Sequence, residues 1–417
     1  MIRRLAIISV HTSPLAPMGG KKTGGMNVYI RELAQELGSR GIAVDIFTRR
    51  SSFDEPEIDN GIGENVRVIY VTAGPVQSLK PDEIYPYLSQ FTARVMAFTT
   101  RKNVKYDIVY SHYWLSGWVG QKLKESWGIP FVHMFHTLGQ MKQRILSHNS
   151  ILPDQRIRTE VDIVAWADRI IAATPAEHSQ LIWLYRTNRR KIQIVPPGVN
   201  TERFYPTSQL AAKRALGLDS RHKILLFVGR IEPLKAIDSI INALDVIKHD
   251  APDVLEQTRF IVIGGDPNDT QDSEMQRLRK LTEQHGLSDV VLFVGAKDQT
   301  VLPTYYAAAT VVVMPSDYES FGMVALEAMA TGTPVIASNV GGLSYLVKDS
   351  QTGYLVPVRE PETIAKRITE IVTNDALSSN MGKEAATLAK EYAWSKIADR
   401  ILDTFDEILG KKSAQVS

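Results

Sequence analysis

The feature that most constrains the fold of this 417-residue chain is a repeated alternation of short apolar runs with stretches of helical periodicity. Residues 5–10, 44–48 and 108–111 are such runs in the first half, and residues 224–228 and 311–314 are such runs in the second. Nearly continuous apolar runs rich in β-branched residues are typical of strands buried on both faces of a parallel sheet. The alternation predicts an α/β fold with two doubly wound, Rossmann-like domains.

A break in this rhythm lies near the middle of the chain, at residues 195–200. Two prolines and a glycine interrupt the strand and helix patterns there. A surface loop is the alternative, but the position between two complete α/β series favours a linker. Because single cores stop growing at about 250–300 residues, two domains are expected. We predict an N-terminal domain over residues 1–196, a linker over 197–206, a C-terminal domain over 207–392 and a final helix over 393–417.

The net charge and the absence of cysteine exclude several kinds of site and of binding partner. The 48 Lys and Arg residues nearly balance 46 Asp and Glu residues, for a net charge of +2, and cysteine is absent. The composition excludes disulfide scaffolds, thiolate metal sites and cysteine nucleophiles. Near-neutrality predicts no general attraction to nucleic acid or to anionic lipid. Apolar runs are too short for a signal peptide or a transmembrane helix, so we expect a cytoplasmic protein with no integral membrane segment and no nucleic-acid partner.

A glycine-rich segment follows the first predicted strand and precedes a helix. It spans residues 19–27 and contains Gly24 and Gly25 just before the helical pattern begins. Open amides and the positive end of a helix dipole suit a phosphate group. The segment matches neither the dinucleotide-binding nor the P-loop glycine pattern. A phosphate site and a flexible loop are both compatible with it.

Two cations follow the first predicted strand of the second half. Arg230 and Lys235 fall in the turn after residues 224–228. Two cations in one strand-to-helix turn could converge on a pyrophosphate, because both guanidinium and ammonium groups donate to phosphate oxygens. The alternative is a pair of solvated surface charges.

A polar loop follows the apolar run at residues 311–314, and a helix is predicted to begin near Ser320 or Phe321. Gly322 would leave the amides of the first turn open to an anion. Glu327 lies among apolar residues, where a carboxylate needs a partner. Ser320 and Glu327 are seven residues apart, so they would share a helix face about 10 Å apart along the axis. Glu319 at the mouth and Glu327 two turns into the helix would then hold opposite ends of an extended ligand. One capping and one surface glutamate is the alternative.

Histidines end two strands predicted in the first half. A single histidine at a strand end is more often structural, but His112 and His136 end neighbouring strands and together point to a site. The sequence contains no D-x-D pair that could present Mg²⁺ or Mn²⁺ to a diphosphate. We therefore expect a site without metal, in which Arg230, Lys235 and helix dipoles stabilise a departing diphosphate.

Taken together, these motifs resemble the retaining GT-B glycosyltransferases of family 4 over essentially the whole chain. The landmarks are residues 24–27, residues 136–138, Arg230 with Lys235, and Glu319 with Glu327 as the E-x7-E pattern. Within the family, residues 11–15 and 111–117 resemble the inositol-phosphate N-acetylglucosaminyltransferase branch of mycothiol synthesis. Arg156, ahead of Glu160, is similar to the sucrose-phosphate synthase branch.

The resemblance implies a retaining enzyme that moves a hexose or N-acetylhexosamine from a UDP-sugar to a phosphorylated polyol or sugar, with an inositol phosphate favoured. Transfer to fructose 6-phosphate, and a nucleotide-sugar epimerase or phosphorylase on the same fold, are the alternatives. The nucleotide sugar would be a co-substrate, and no cofactor or metal would be required. The two domains would face a cleft, and the segment 393–417 would return to the first domain. A homodimer is left open.

The resemblance also implies residue roles. The residues expected to act in catalysis are His136, Arg230, Lys235 and Glu319. The residues expected to bind the donor are Gly24, Gly25, Arg230, Lys235, Glu319, Phe321, Gly322 and Glu327. The residues expected to bind the acceptor are Asn27, Lys80, Tyr113, Thr137 and Arg156. One position departs from the family pattern: Ala236 stands where glycine usually follows the diphosphate lysine, and alanine is strained wherever φ is positive.

Overall fold

The computed structural model describes residues 2–16, 24–145, 154–269 and 271–410. Two compact units are formed, with the boundary between Pro196 and Pro197. The second unit ends at Ala393, and the helix that follows belongs to the first unit. No helix in the described ranges is both long and apolar enough to cross a membrane.

The first unit is built on an eight-stranded sheet. In chain order its strands are β1 (Arg4–Ile8), β2 (Ala43–Arg49), β3 (Ile58–Asp59), β4 (Val66–Val71), β5 (Ile108–His112), β6 (Phe131–Met134), β7 (Arg169–Ala172) and β8 (Ile192–Ile194). Their order across the sheet is β3-β4-β2-β1-β5-β6-β7-β8. All pairings are parallel except that of β3 with β4, which is antiparallel.

Eight α-helices belong to this unit in the described residues. They are α1 (Gly25–Ser39), α2 (Pro81–Ile84), α3 (Leu88–Lys102), α4 (Trp114–Trp127), α5 (Gly139–Ile145), α6 (Asp154–Trp166), α7 (Pro175–Tyr185) and α17 (Trp394–Ile408). Fully buried aromatic residues such as Phe91, Trp114 and Phe131 fill the space between α3, α4 and the sheet. Covering helices bury the sheet, which is why its strands are apolar throughout.

The second unit has a six-stranded, wholly parallel sheet. Its strands are β9 (Lys223–Val228), β10 (Thr258–Ile263), β11 (Val291–Phe293), β12 (Val311–Met314), β13 (Val335–Ser338) and β14 (Gly353–Val356). Their order is β11-β10-β9-β12-β13-β14. Its helices are α8 (Gln209–Ala215), α9 (Ile237–Asp250), α10 (Pro252–Glu256), α11 (Ser273–Gln284), α12 (Leu302–Ala308), α13 (Met323–Ala330), α14 (Leu343–Leu346), α15 (Pro361–Val372) and α16 (Asp375–Ala389).

Each sheet has a switch point, where the strands on either side connect outward in opposite directions, and those points locate the candidate sites. In the first unit the switch point lies between β1 and β5, and in the second it lies between β9 and β12. Ligands of open α/β sheets bind beyond the carboxyl ends of the strands at such points. The predicted doubly wound α/β architecture is confirmed in both units. The antiparallel β3 was not predicted, because two residues are too few to show a periodic pattern.

Candidate functional site

The glycine-rich segment leads into α1 of the first unit. Gly24 precedes this helix and Gly25 is its exposed first residue. The buried Asn27 side chain donates from Nδ2 to Thr12 Oγ1 at 2.8 Å and to the Ser13 carbonyl at 2.6 Å. Asn27 therefore fixes the start of α1 to the loop that follows β1. Residues 19–23 of the predicted segment lie outside the described ranges.

Two predicted site residues, one after β5 and one after β6, have backbone conformations that residues other than glycine rarely adopt. Tyr113 has φ 73° and caps α4, and His136 has φ 61°. The Tyr113 amide donates to the Met134 carbonyl at 2.9 Å, which holds the turn to the neighbouring strand. Such conformations cost about 1–3 kcal/mol each, and they cluster at functional sites. Both residues are therefore held in place at the expected edge of the sheet.

His136 is paired with a second histidine. Its Nε2 atom lies 2.9 Å from Nδ1 of the fully buried His112. Burial, with a smaller contribution from nearby His11, lowers the pKa of His136 to about 3. Burial also lowers the pKa of His112 well below its usual value. Both rings are therefore neutral near pH 7, and one donates its N–H to the other.

Three of the predicted acceptor residues meet at this edge. The Arg156 guanidinium of α6 donates to the Tyr113 hydroxyl at 3.2 Å and lies 4.9 Å from the centre of the Tyr113 ring. The same guanidinium donates to the Thr137 carbonyl at 2.8 Å and to the Thr137 hydroxyl at 3.1 Å. Arg156, Tyr113 and Thr137 thus form one hydrogen-bonded cluster, which we call the Arg156 cluster.

Lys80 lies elsewhere in the first unit. It is exposed and precedes α2, where its backbone amide donates to the Glu83 carboxylate at 2.6 Å. Among the described residues, no polar contact joins Lys80 to the Arg156 cluster. Its assignment to the acceptor stays a prediction.

In the second unit, the residue expected to bind the diphosphate and the residue expected to bind the donor sugar are in direct contact. Lys235 Nζ, in the turn after β9, donates to Glu319 Oε2 at 2.6 Å, in the loop after β12. Their side chains are 19% and 17% exposed. The backbone also joins the two loops, because the Asp317 amide donates to the Leu234 carbonyl at 2.9 Å. The two turns at the switch point of the sheet therefore form one structure.

Arg230, the second predicted cation, forms an ion pair within its own turn. Arg230 Nη1 lies 2.6 Å from the Glu232 carboxylate within the same turn, and its side chain is 44% exposed. The turn ends at the buried Ala236, which has φ 52° and immediately precedes α9. Alanine therefore stands at a position with a left-handed backbone, where the family usually has glycine, and this conformation is strained for alanine.

The helix after the Glu319 loop begins later than predicted. α13 starts at Met323, because Gly322 has φ 106° and lies outside the helix. The prediction of a start at Ser320 or Phe321 was wrong, and so was the helix face shared by Ser320 and Glu327. The Glu319 carbonyl instead accepts from the Gly342 amide at 2.9 Å, which fixes this segment as a loop. Glycine suits this position because its φ of 106° is one that residues with a side chain rarely adopt.

Glu327 has the partner that its burial demands. The Tyr306 hydroxyl, from α12, donates to Glu327 Oε2 at 2.8 Å inside the second unit. Phe321, also predicted to bind the donor, is buried and packs near the Tyr392 ring, with centroids 6.1 Å apart. Because the Phe321 ring is buried, any contact of this residue with a donor would be made by its backbone.

An arginine that was not predicted links the two donor loops. Arg359, after β14, donates to both carboxylate oxygens of Asp317 at 2.8 and 2.6 Å and to those of Asp238 at 3.0 Å. It also donates to the Pro233 carbonyl at 3.0 Å. Arg359 therefore bridges the turn of Lys235, the start of α9 and the loop of Glu319.

Sequence signals for the residues that were missed differ in strength. Arg359 follows a strand of the second sheet, as Arg230 does, and the same search of strand ends could have found it. Glu160 stands four residues after Arg156 on a helix, a spacing that places two side chains side by side. Tyr306 carries no local signal, because only the packing of α12 against α13 brings it to Glu327.

Comparisons with known proteins identify the family to which both halves of the chain are similar. A model described as glycosyltransferase family 4 matches residues 23–203, and one described as glycosyl transferases group 1 matches residues 208–388. A D-inositol 3-phosphate glycosyltransferase of Acidothermus cellulolyticus is 39% identical over 98% of this chain and 91% of its own. One of Streptomyces avermitilis is 42% identical over 97% of this chain and 87% of its own.

Solved structures show the same fold. Sucrose-phosphate synthase from Thermosynechococcus elongatus has a TM-score of 0.88 and 32% identity, over 98% of this chain and 99% of its own. Anabaena HepE, in complex with UDP and glucose, has a TM-score of 0.74 and 19% identity, over 97% of this chain and all of its own. The likeness to HepE concerns the fold alone. The chain therefore belongs to the family 4 glycosyltransferases and is a glycosyltransferase with the GT-B fold.

Proposed function

We propose that this glycosyltransferase moves a hexose or N-acetylhexosamine from a UDP-sugar to an inositol phosphate. The contact of Lys235 with Glu319 carries the proposal, because it places a cation and an anion at the switch point of the second sheet. An ammonium suits a diphosphate, and a carboxylate accepts from sugar hydroxyls. A nucleotide sugar carries both kinds of group.

The donor assignment has further support from the second unit. Glu327 is buried next to Tyr306, where a carboxylate can accept from ribose hydroxyls. The loop at Gly322 brings the amides at the start of α13 to the same edge. The choice of uracil as the base follows the family resemblance and is part of this proposal. The roles of Gly24, Gly25 and His136 toward the donor remain part of this proposal.

The acceptor assignment is supported by the first unit and by the relatives. The Arg156 cluster offers a guanidinium and two hydroxyls at the carboxyl edge of the first sheet. Relatives that are 38–42% identical carry the name D-inositol 3-phosphate glycosyltransferase. Asn27 and Lys80 would complete the acceptor site. A phosphorylated polyol fits a cluster that consists of hydrogen-bond donors.

The proposed reaction retains the anomeric configuration without a protein nucleophile. The bond between the anomeric carbon and the diphosphate oxygen breaks, and an acceptor hydroxyl oxygen bonds to that carbon on the same face. The hydroxyl proton passes to the departing diphosphate oxygen. Lys235 and Arg230 would stabilise the charge that develops on the diphosphate. With these cations in place, we propose that the reaction requires no metal ion.

Transfer to fructose 6-phosphate is the second candidate. Sucrose-phosphate synthase shares 32% of its residues with this chain and superposes with a TM-score of 0.88. Both acceptors are phosphate monoesters of small polyhydroxylated molecules, so the Arg156 cluster suits either. The identity of the acceptor is therefore a question for direct assay.

The test is a matrix of UDP-glucose and UDP-N-acetylglucosamine against inositol 3-phosphate and fructose 6-phosphate, with and without EDTA. Product formation is followed by mass spectrometry. We expect a glycosylated inositol phosphate, formed equally well with EDTA present. Product formed with fructose 6-phosphate but not with inositol 3-phosphate would support the second candidate. Donor conversion without acceptor would indicate an epimerase, and conversion that needs inorganic phosphate would indicate a phosphorylase. An absence of turnover and of UDP binding would overturn the proposal.

A further inference from the structure

His136 turns one edge of its ring toward the interior of the first unit. Its Nε2 atom lies 2.9 Å from Nδ1 of His112, the last residue of β5. The Tyr29 ring packs edge-on against the His136 ring, with centroids 5.3 Å apart. The backbone of His136 has a φ of 61°, which the surrounding structure must hold in place. The two histidines are therefore fixed against each other, and one ring must donate to the other.

The remaining nitrogen of each ring has different surroundings. His112 is fully buried, and its Nε2 atom has no hydrogen-bond partner in the part of the chain that the structure describes. The Tyr110 ring lies against it, with centroids 4.2 Å apart. His136 is half-buried, and no described protein group is hydrogen-bonded to its Nδ1 atom. Nδ1 of His136 is thus the nitrogen of the pair that is available to a ligand.

The buried nitrogen of His112 indicates where the protons lie. Burial lowers the pKa of both rings, so each is neutral near pH 7 and carries a single ring proton. If His136 donated from Nε2, His112 would hold its own proton on Nε2, as a buried N–H without an acceptor. If His112 donates from Nδ1, its Nε2 is a bare nitrogen. Because buried acceptors are left without a partner somewhat more often than buried N–H groups, the second arrangement is favoured.

This arrangement determines what His136 offers to a ligand. With Nε2 accepting from His112, the single proton of His136 must lie on Nδ1. We propose that His112 is a positioning residue that donates from Nδ1 to His136 Nε2, so that His136 presents an N–H group to the nucleotide sugar. His136 then has no free lone pair to take the proton of the acceptor hydroxyl, which passes to the departing diphosphate oxygen instead. The inference rests on the proposed function, because the nucleotide sugar is the ligand of Nδ1 there.

The first test observes the tautomers directly and needs no substrate. Protein labelled with ¹⁵N at histidine is studied by long-range ¹H–¹⁵N NMR near pH 7, and the His136 signals are assigned by their loss in His136→Gln. We expect wild-type His136 in the form protonated on Nδ1. In His112→Leu, which removes the hydrogen bond, both tautomers of His136 should be populated. Protonation of wild-type His136 on Nε2 would overturn the inference, since His136 would then donate to His112.

The second test separates the donated hydrogen bond from packing. The side-chain nitrogen of asparagine can stand where Nδ1 of His112 stands, since both atoms lie one bond beyond Cγ, whereas leucine has no N–H. At saturating UDP-sugar and inositol 3-phosphate, His112→Leu should lower kcat about 10- to 100-fold. His112→Asn should keep kcat within about threefold of the wild type, and UDP affinity, measured by calorimetry, should change less than about twofold in both variants.

His133→Leu is the matched control, because His133 is an equally buried histidine that contacts Ser111 Oγ at 2.7 Å. It should leave the tautomer of His136 unchanged. Equal losses of kcat in His112→Leu and His112→Asn would overturn the inference, because the donated N–H would then be irrelevant. If His112→Leu fails to fold, the wild-type tautomer still decides. A wild type that transfers no sugar to any acceptor defeats the proposed function instead and leaves the tautomer result standing.

Discussion

Lys235 and Glu319 form an ion pair with 2.6 Å between Nζ and Oε2, although 84 residues separate them in sequence. Both side chains are largely buried at the carboxyl edge of the second sheet. In the proposed enzyme a diphosphate would compete with Glu319 for the Lys235 ammonium. Binding of the diphosphate to Lys235 would therefore release the Glu319 carboxylate from this ion pair.

Opposite effects on UDP binding follow from removing the two partners. Lys235→Ala should weaken UDP binding about 10- to 100-fold, since a hydrogen bond to a charged group contributes about 1.5–3 kcal/mol. Glu319→Gln should bind UDP at least as tightly as the wild type, because the competing carboxylate is gone, yet transfer sugar more slowly. Calorimetry and initial rates measure both. Lys366→Ala, on the exposed face of α15, is the control. Equal weakening of UDP binding by both site variants would contradict this explanation.

Arg359 should matter for nucleotide binding although it was assigned to no ligand. Its contacts with Asp317, Asp238 and the Pro233 carbonyl hold the two donor loops together. We expect Arg359→Ala to weaken UDP binding about 3- to 10-fold, because part of the binding energy must then order the loops. Arg367→Ala is the matched control, since Arg367 pairs with Glu370 on its own helix and lies over Tyr354. Unchanged UDP affinity in Arg359→Ala would show that the loops need no such bridge.

Ala236 should tolerate glycine unusually well. Its φ of 52° is costly for alanine by about 1–2 kcal/mol, and glycine removes that cost while losing a buried methyl group. Ala236→Gly should therefore change the free energy of unfolding by less than about 1 kcal/mol. Ala243→Gly, equally buried in the helix that follows, should cost about 1–2 kcal/mol. Denaturant titration compares the two, and equal losses would contradict left-handed strain at Ala236.

Glu177 should make the first unit less stable as pH rises. Its carboxylate accepts from the Ala173 amide at 2.7 Å, while Oε1 is buried without a partner in the described structure. Burial raises the pKa of Glu177 to about 7 from an ordinary value of 4.5. Since the folded state then holds a proton that the unfolded state has lost, stability falls between pH 4.5 and 7, by about 3 kcal/mol in total.

The test of this effect is the difference between the wild type and Glu177→Gln in unfolding experiments at pH 5 and pH 8. The variant should lose less stability over this interval than the wild type does, because an amide does not titrate. Glu64→Gln, with an exposed side chain in the same unit, should follow the wild type. Parallel pH curves for the wild type and Glu177→Gln would show that this carboxyl does not titrate in the range.

The sequence was sufficient for the architecture because strand burial and helix periodicity leave local patterns. It was also sufficient to place Lys235 and Glu319 in the loops that follow two strands, whereas Arg156 was expected only from the family resemblance. It could not show that Lys235 pairs with Glu319, since that contact depends on the parallel packing of β9 against β12. The start of α13 was misplaced because the φ of Gly322 is set by neighbouring loops, which no local pattern records.

The most direct test of the proposed transfer is the ratio of UDP released to glycosylated product formed. UDP-N-acetylglucosamine and UDP-glucose are each supplied with inositol 3-phosphate, and both products are quantified in the same time course. We predict, for at least one donor, one UDP per molecule of glycosylated inositol phosphate and a much slower release of UDP when the acceptor lacks its phosphate. UDP release without glycosylated product, or an equal rate with unphosphorylated inositol, would contradict transfer to a phosphorylated acceptor.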